Sequence, residues 1–373
     1  MSTQTSFAPG GENTGALVTI FLRGGADGLN MVAPLEDAAY YRARPALALA
    51  KSKALALDGF FGLNPLLGEL MPAWKEGELA IVHGAGSEDQ TRSHFEAQDM
   101  MEHGGLIGGG WLGRYLRARP NAGNGALSCV AIGRALPESL QGAPTAAVLG
   151  KIEDFSFSTG SAGLRAELQK LYALEGDRLG AAAHDTFEAL GRIDAMRARP
   201  YQPENGAVYG TDSFTQGLQQ IARLIKAEVG LQAASLDLDG WDSHFVEQNV
   251  HAGLLPQLAH GLAVFRQDLG ARMRSTTVVV MSEFGRRVGE NASAGTDHGR
   301  GGVMWVLGGG VKGGRVIGPW PGLVDAKLEG PGDLPVFNNY RNVLAPILTR
   351  HGLAETALPR VFPDFALQPL ALY

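Results

Sequence analysis

The chain has 373 residues, of which 45% are hydrophobic and 19% charged, and carries a formal net charge of −6. These values exclude a disordered chain, and without an excess of Lys and Arg they leave no electrostatic footprint for nucleic acid. Cys129 is the only cysteine, which excludes an intrachain disulfide and a thiolate metal cluster, and no apolar run reaches the roughly 18 residues that suggest a membrane span.

The length suits one large α/β domain over residues 16–373 behind a polar tail at 1–15. That tail, MSTQTSFAPGGENTG, has neither the basic nor the apolar part of a signal peptide. A tail of this kind also remains after an export signal has been cut away. The run ALVTIFL, residues 16–22, then reads as a buried first strand, followed at once by the loop RGGADGLN with Asp27. ELAIVHG, ALSCVAIG, LQAASLDLD, TTVVVMSEFG and GGVMWVLGGG read as further strands, each short, apolar and bounded by Gly or charge. Cys129 lies inside ALSCVAIG, where a buried structural thiol is the expected role. Runs this continuously apolar need cover on both faces, as in a parallel sheet between two helical layers.

Helical periodicity covers residues 164–197, 212–229, 249–273 and 339–351. The strand-poor section from about 155 to 210 is expected to pack over the sheet as a helical insertion. The predicted fold is a three-layer α/β/α sandwich with a mostly parallel central sheet. LGGGVKGG lacks the spacing of a phosphate loop and is expected to be a turn between strands, and RGGADGLN lacks the dinucleotide pattern G-x-G-x-x-G.

Ligands of open parallel sheets sit beyond the carboxyl ends of the strands. Five stretches fall there: the loop with Asp27, then TRSHFE, DLDGWDSH, SEFGRR and TDHGRGG. Their Asp and His side chains would converge at one rim. Asp242 and His244 share a face if the backbone is extended, and a carboxylate with a neutral imidazole suits zinc, manganese or iron better than magnesium. Asp237 and Asp239 are rival carboxylates. Glu283 stands at a strand end, either facing a ligand or paired with Arg286 or Arg287. Asp297 and His298 sit in a Gly-rich loop with Arg300, a candidate partner for an anionic substrate.

SHFE fits a capping box, with Ser93 at the N-cap and Glu96 three residues on. The same position favours an anion, and a hydroxyl there facing a metal would be activated as a nucleophile. Thr91 is the rival hydroxyl and Arg92 the candidate oxyanion partner. In the helix that follows, Phe95, Met100 and Met101 are expected to pack inward, with His94, Gln98 and Asp99 as groups behind the site.

Five stretches, FLRGGADGLNMVAP, RSHFEAQDMME, GWDSH, MSEFGR and TDHGRGGVMWVLGGGVKGG, in this order resemble the domain-of-unknown-function 1501 family of bacterial proteins. That family is related to the alkaline phosphatase and sulfatase superfamily. The resemblance implies an alkaline-phosphatase-like sandwich, one or two divalent ions, and a Ser or Thr nucleophile at a helix N-terminus. It also implies a metal site of Asp27, Asp242, His244, Glu283 and His298, and an exported protein. Where the superfamily has Asp-His-Gly, this chain has Glu283, Phe284 and Gly285, so a nitrogen ligand of a second ion is missing. The expected function is hydrolysis of a small phosphate or sulfate ester, with zinc or manganese as the ion. The alternative is a binding or scaffold protein whose catalytic site has decayed.

Overall fold

The computed structural model describes residues 15–119, 125–154, 162–174, 178–198 and 200–373. Most of the expected tail, and residues 155–161, 175–177 and 199 of the expected insertion, lie outside the described residues. Among the described residues a nine-stranded main sheet contains β1 (Leu17–Arg23), β2 (Leu79–Gly86), β3 (Cys129–Ile132), β4 (Ala147–Leu149), β5 (Ala233–Asp239), β6 (Thr277–Ser282), β7 (Gly302–Gly308), β8 (Arg315–Ile317) and β9 (Asn338–Asn339). Their order across the sheet is β8, β2, β7, β6, β1, β5, β3, β4, with β9 beside β2. β7 pairs antiparallel with β2 and β6, and the other pairings of this sheet are parallel. This is a mixed α/β fold on a mostly parallel sheet.

Successive side chains of a strand point to opposite faces, and β1 shows the result. Val18, Ile20 and Leu22 join one buried apolar cluster, while Leu17 and Phe21 join another. The principal helices are α1 (His94–His103), α2 (Trp111–Ala118), α3 (Ala162–Ala173), α4 (Arg178–Arg197), α5 (Ser213–Lys226), α6 (Glu247–Leu269) and α7 (Tyr340–Arg350). The first cluster takes in Leu218 and Ile221 of α5 with Leu255 and Leu258 of α6. The second takes in Leu112 and Tyr115 of α2 with Val343 and Leu344 of α7. Both faces are therefore covered, which is why the strands read as unbroken apolar runs. Cys129 is fully buried, and burial pushes its thiol up to about 12, which makes it inert.

Short edge elements escaped the sequence reading, namely β4, β8, β9 and a small separate sheet of Val32–Pro34, Leu55–Ala56 and Phe61–Leu63. Two or three residues are too few to show a period. LGGGVKGG is a turn: Gly308, the last residue of β7, and Gly309 and Gly310 after it all adopt positive φ on the way to β8. Two expectations for α1 are corrected. Ser93 is the N-cap, but its side chain makes no capping hydrogen bond, and Glu96 is exposed. Phe95 is 84% exposed, because the helix turns Ala97, Met100 and Met101 inward instead. No helix among the described residues is long and apolar enough to cross a membrane.

The topology sets where polar groups gather. β1, β5 and β6 are parallel neighbours, so Gly24 to Asp27, Trp241 to His244 and Glu283 to Arg287 leave the sheet at the same edge. Because β7 is reversed, the loop that precedes it, with Asp297 and His298, starts from that edge too. β2 ends there as well and leads through residues 87–93 into α1.

Candidate functional site

Arg92 lies just before α1 with φ +57°, a left-handed conformation unusual for a side chain of its size. Its carbonyl meets His298 Nδ1 at 2.8 Å. A carbonyl only accepts, so Nδ1 of His298 carries the proton and its Nε2 keeps a lone pair. Burial lowers the pKa of His298, which keeps the ring neutral.

His94 is fixed in the same way by a different acceptor. Its Nδ1 is 2.8 Å from Oε1 of Glu283, which also accepts from Gln98 Nε2 and the Gly24 N–H, each at 2.9 Å. Burial by itself would raise the Glu283 carboxyl, but the hydrogen bonds from His94, Gln98 and Gly24 pull it below its ordinary value. An ionised carboxylate accepts only, so His94 Nδ1 donates, and this hydrogen bond to Glu283, with the nearby Asp242 charge, raises the imidazole above its ordinary value despite partial burial. Its Nε2 is buried without a hydrogen-bond partner, 3.5 Å from Asp242 Oδ2.

Asp242 joins the two imidazoles. His298 Nε2 is 3.3 Å from its Oδ1 and His244 Nε2 is 3.2 Å from the same oxygen, while the two Nε2 atoms are 2.9 Å apart. Ligand atoms of His94, Asp242 and His298 all lie within 4.8 Å of one another. A four-coordinate ion with bonds of about 2.0–2.2 Å spaces its ligands at roughly 3.3–3.6 Å, and the distances from Asp242 to His94, His298 and His244, 3.5, 3.3 and 3.2 Å, are close to that. His244 is steadied from behind by Asp297, 3.5 Å from its Nδ1. Each imidazole thus has an oxygen acceptor at Nδ1 and presents Nε2 toward Asp242, the arrangement that orients histidines around a metal.

Arg286 holds this assembly from below. It is fully buried and donates to the carbonyls of Gly24, Gly25, Trp241 and Thr296, and to Asp242 Oδ1 at 2.8 Å. Burial works against ionisation of Asp242, and the Arg286 guanidinium more than offsets it, leaving its pKa lowered. Phe284 closes one flank, its ring centroid 5.0 Å from that of His94 and 4.8 Å from that of His298.

The other sequence candidates stand apart from this cluster. Asp27 is buried and paired through both oxygens with Arg44, itself fully buried, and its Oδ1 also accepts from the Leu29 N–H at 3.2 Å. Burial would raise the Asp27 carboxyl, but Arg44 holds it well below the usual carboxylate range. Behind it Glu247 is buried, accepting from Thr296 and Ser243. Burial and the neighbouring Asp27 charge push its carboxyl up. The Thr91 hydroxyl donates to Asp89 and accepts from the Ser93 N–H at 3.1 Å, whereas no hydrogen bond of the Ser93 hydroxyl is seen among the described residues. The Arg92 guanidinium pairs with Asp333, Arg287 with Asp297 and Arg300 with Glu329. Asp237 pairs with Arg23, while Asp99 is exposed on α1.

Sequence reasoning kept His94 in the background and passed over Arg44, Glu247 and the role of Arg286. His94 carried one usable signal, its place directly after a candidate N-cap. Arg44 lies 17 residues from Asp27 in a stretch with no motif, and only the folded chain brings the two together.

No curated protein matches this chain. Among solved structures, the complex of Ps i-CgsB with k-i-k-neocarrahexaose aligns with 91% of this chain and 72% of that one, at 12% identity and a TM-score of 0.35. Ps i-CgsB alone aligns over 87% and 68%, at 12% identity and a TM-score of 0.31. A family model described as "Protein of unknown function (DUF1501)" matches residues 71–358, a span that holds the four stretches from RSHFEAQDMME onward. The chain therefore belongs to the family of proteins of unknown function 1501.

Proposed function

We propose that this protein is a metal-dependent hydrolase of small phosphate or sulfate esters, built as an alkaline-phosphatase-like sandwich. His94, Asp242 and His298 would hold a zinc- or manganese-type ion, with His244 beside them. One observation carries this reading: Glu283 and the Arg92 carbonyl each engage an imidazole at Nδ1, so that Nε2 of His94 and of His298 faces Asp242, and the buried Nε2 of His94 has no hydrogen-bond partner. A buried imidazole nitrogen that faces a carboxylate without a hydrogen-bond partner is a poor packing solution unless a cation meets it.

Such an ion supplies Lewis-acid stabilisation of charge on the ester. The chain's own residues do the rest. Ser93, at the start of α1 between Arg92 and His94, is favoured over Thr91 as nucleophile, because the Thr91 hydroxyl is already turned to Asp89. The N–H groups of the first turn of α1 would bind the oxygens of the anion. Arg92, Arg287 and Arg300 each face a carboxylate of the chain, so the substrate's charge falls to these N–H groups and the ion.

The test is metal content after loading and desalting, followed by turnover of an aryl phosphate and an aryl sulfate. Stoichiometric zinc or manganese with turnover is expected, both lost in His298→Ala, while Ser93→Ala keeps the ion and loses turnover. Protein that stays metal-free after incubation with zinc, manganese and magnesium would sink the proposal. Metal without turnover would favour a binding protein, the reading that Phe284 in place of a ligating imidazole supports.

A further inference from the structure

We infer that the site takes a single ion, and that two buried guanidinium groups, Arg44 on Asp27 and Arg286 on Asp242, stand where a second ion would have to compete. The inference rests on the metal-binding part of the proposed function and concerns how many ions that site accepts.

Four carboxylates near the rim are the natural ligands of a second cation: Asp27, Asp242, Glu283 and Asp297. Asp27 gives both oxygens to Arg44 and one of them also to the Leu29 N–H, in a position closed to solvent. An ion there would have to expel a guanidinium that itself has no exit to water. Oε1 of Glu283 already receives three donors, more than its two lone pairs ideally serve, and Oε2 accepts from the Ser282 hydroxyl at 3.0 Å. Asp297 accepts from Asn291 and Arg287, each at 3.2 Å, and stands behind His244 Nδ1.

Phe284 removes the remaining opening. It packs against both ligating imidazoles and against Gly25, where an added Cβ would lie 2.4 Å from the ring. With φ +72° and no Cβ, Gly25 lets the backbone pass beneath the ring without that clash. What remains is Nε2 of His94, His298 and His244 with one carboxylate, Asp242, a nitrogen-rich set for one borderline ion.

The experiment is zinc titration of the full chain, read as bound ion per chain by native mass spectrometry, with an electron paramagnetic resonance spectrum of the manganese-loaded protein. One ion per chain at saturating zinc and an uncoupled manganese signal are expected. In His94→Ala, shown folded by circular dichroism, zinc affinity by chelator competition should fall by more than the roughly 10- to 100-fold that loss of an outer partner costs. Two zinc ions per chain, or an exchange-coupled manganese pair, overturns the single-ion inference and leaves the metal-dependent reading standing. Zinc affinity unchanged in His94→Ala overturns the ligand set, and no bound zinc overturns the metal-dependent reading together with the inference.

Discussion

His94 and His298 at the rim and Asp27 with Arg44 are both sets of buried or half-buried polar side chains, yet they are finished differently. At the rim His94 is satisfied at Nδ1 alone, and its Nε2, facing Asp242, is left without a hydrogen-bond partner. Both oxygens of Asp27, by contrast, are answered by Arg44, which also donates to the carbonyls of Val288 and Arg287. The rim is arranged to receive and the buried pair to hold loops together. The lesson is that an acidic residue at a strand end is available as a ligand only if the fold leaves at least one of its oxygens unclaimed, as it does for Oδ2 of Asp242 and not for Asp27.

The sharpest way to break this contrast is Arg44→Met. Removing one partner of a buried ion pair costs about 3–5 kcal/mol, so the urea midpoint should drop steeply while any zinc affinity of the folded protein changes little. An unchanged midpoint would mean that Asp27 is not held by Arg44.

A third kind of polar group, His83, extends the comparison to pH. It is buried, with Nε2–H donating to Val32 O at 3.1 Å and Nδ1 accepting from the Gly84 N–H at 3.0 Å, and burial depresses its pKa to about 4. The unfolded chain takes up this proton near pH 6.5 and the fold resists it, so the contribution is complete above about 6.5 and is lost as pH falls toward 4. A shift of that size corresponds to about 3 kcal/mol. Chemical denaturation from pH 7 to 4 should therefore show a shallower decline for His83→Phe than for the parent.

A milder change is Glu283→Gln, which removes the acceptor-only partner of His94 Nδ1. Loss of such an outer partner typically weakens metal binding 10- to 100-fold, and chelator competition measures it; equal affinity would show that His94 needs no orientation. Smallest of all is Phe95→Ser on the exposed face of α1, where stability should stay within about 0.5 kcal/mol.

Much of the architecture was legible because strands covered on both faces leave unbroken apolar runs, as TTVVVM and ELAIV do. The parallel order of β5 and β6 brought Asp242 and Glu283 to one edge, as the rule for open sheets requires, and the reversed β7 brought His298 there. The division of labour at that edge was not legible. Glu283 reads as a ligand, yet it sits behind His94, since which side of a helix faces the sheet depends on tertiary packing. Asp27 reads as a ligand because nothing local announces Arg44. The capping box at Ser93 failed for a related reason: Arg92 adopts a left-handed turn to reach His298, and Ser93 enters the helix without closing the cap.

The reversal of β7 has a consequence for assembly. β6 and β7 are direct partners, with Trp305 opposite Val280, and between them a bridge joins Arg286 to His298 across only twelve positions. The contact of His94 with Glu283 spans 189. For an otherwise unfolded chain, closing the longer loop costs roughly 2 kcal/mol more in entropy. One half of the site is a local product of a single hairpin, and the other half waits on the whole sheet.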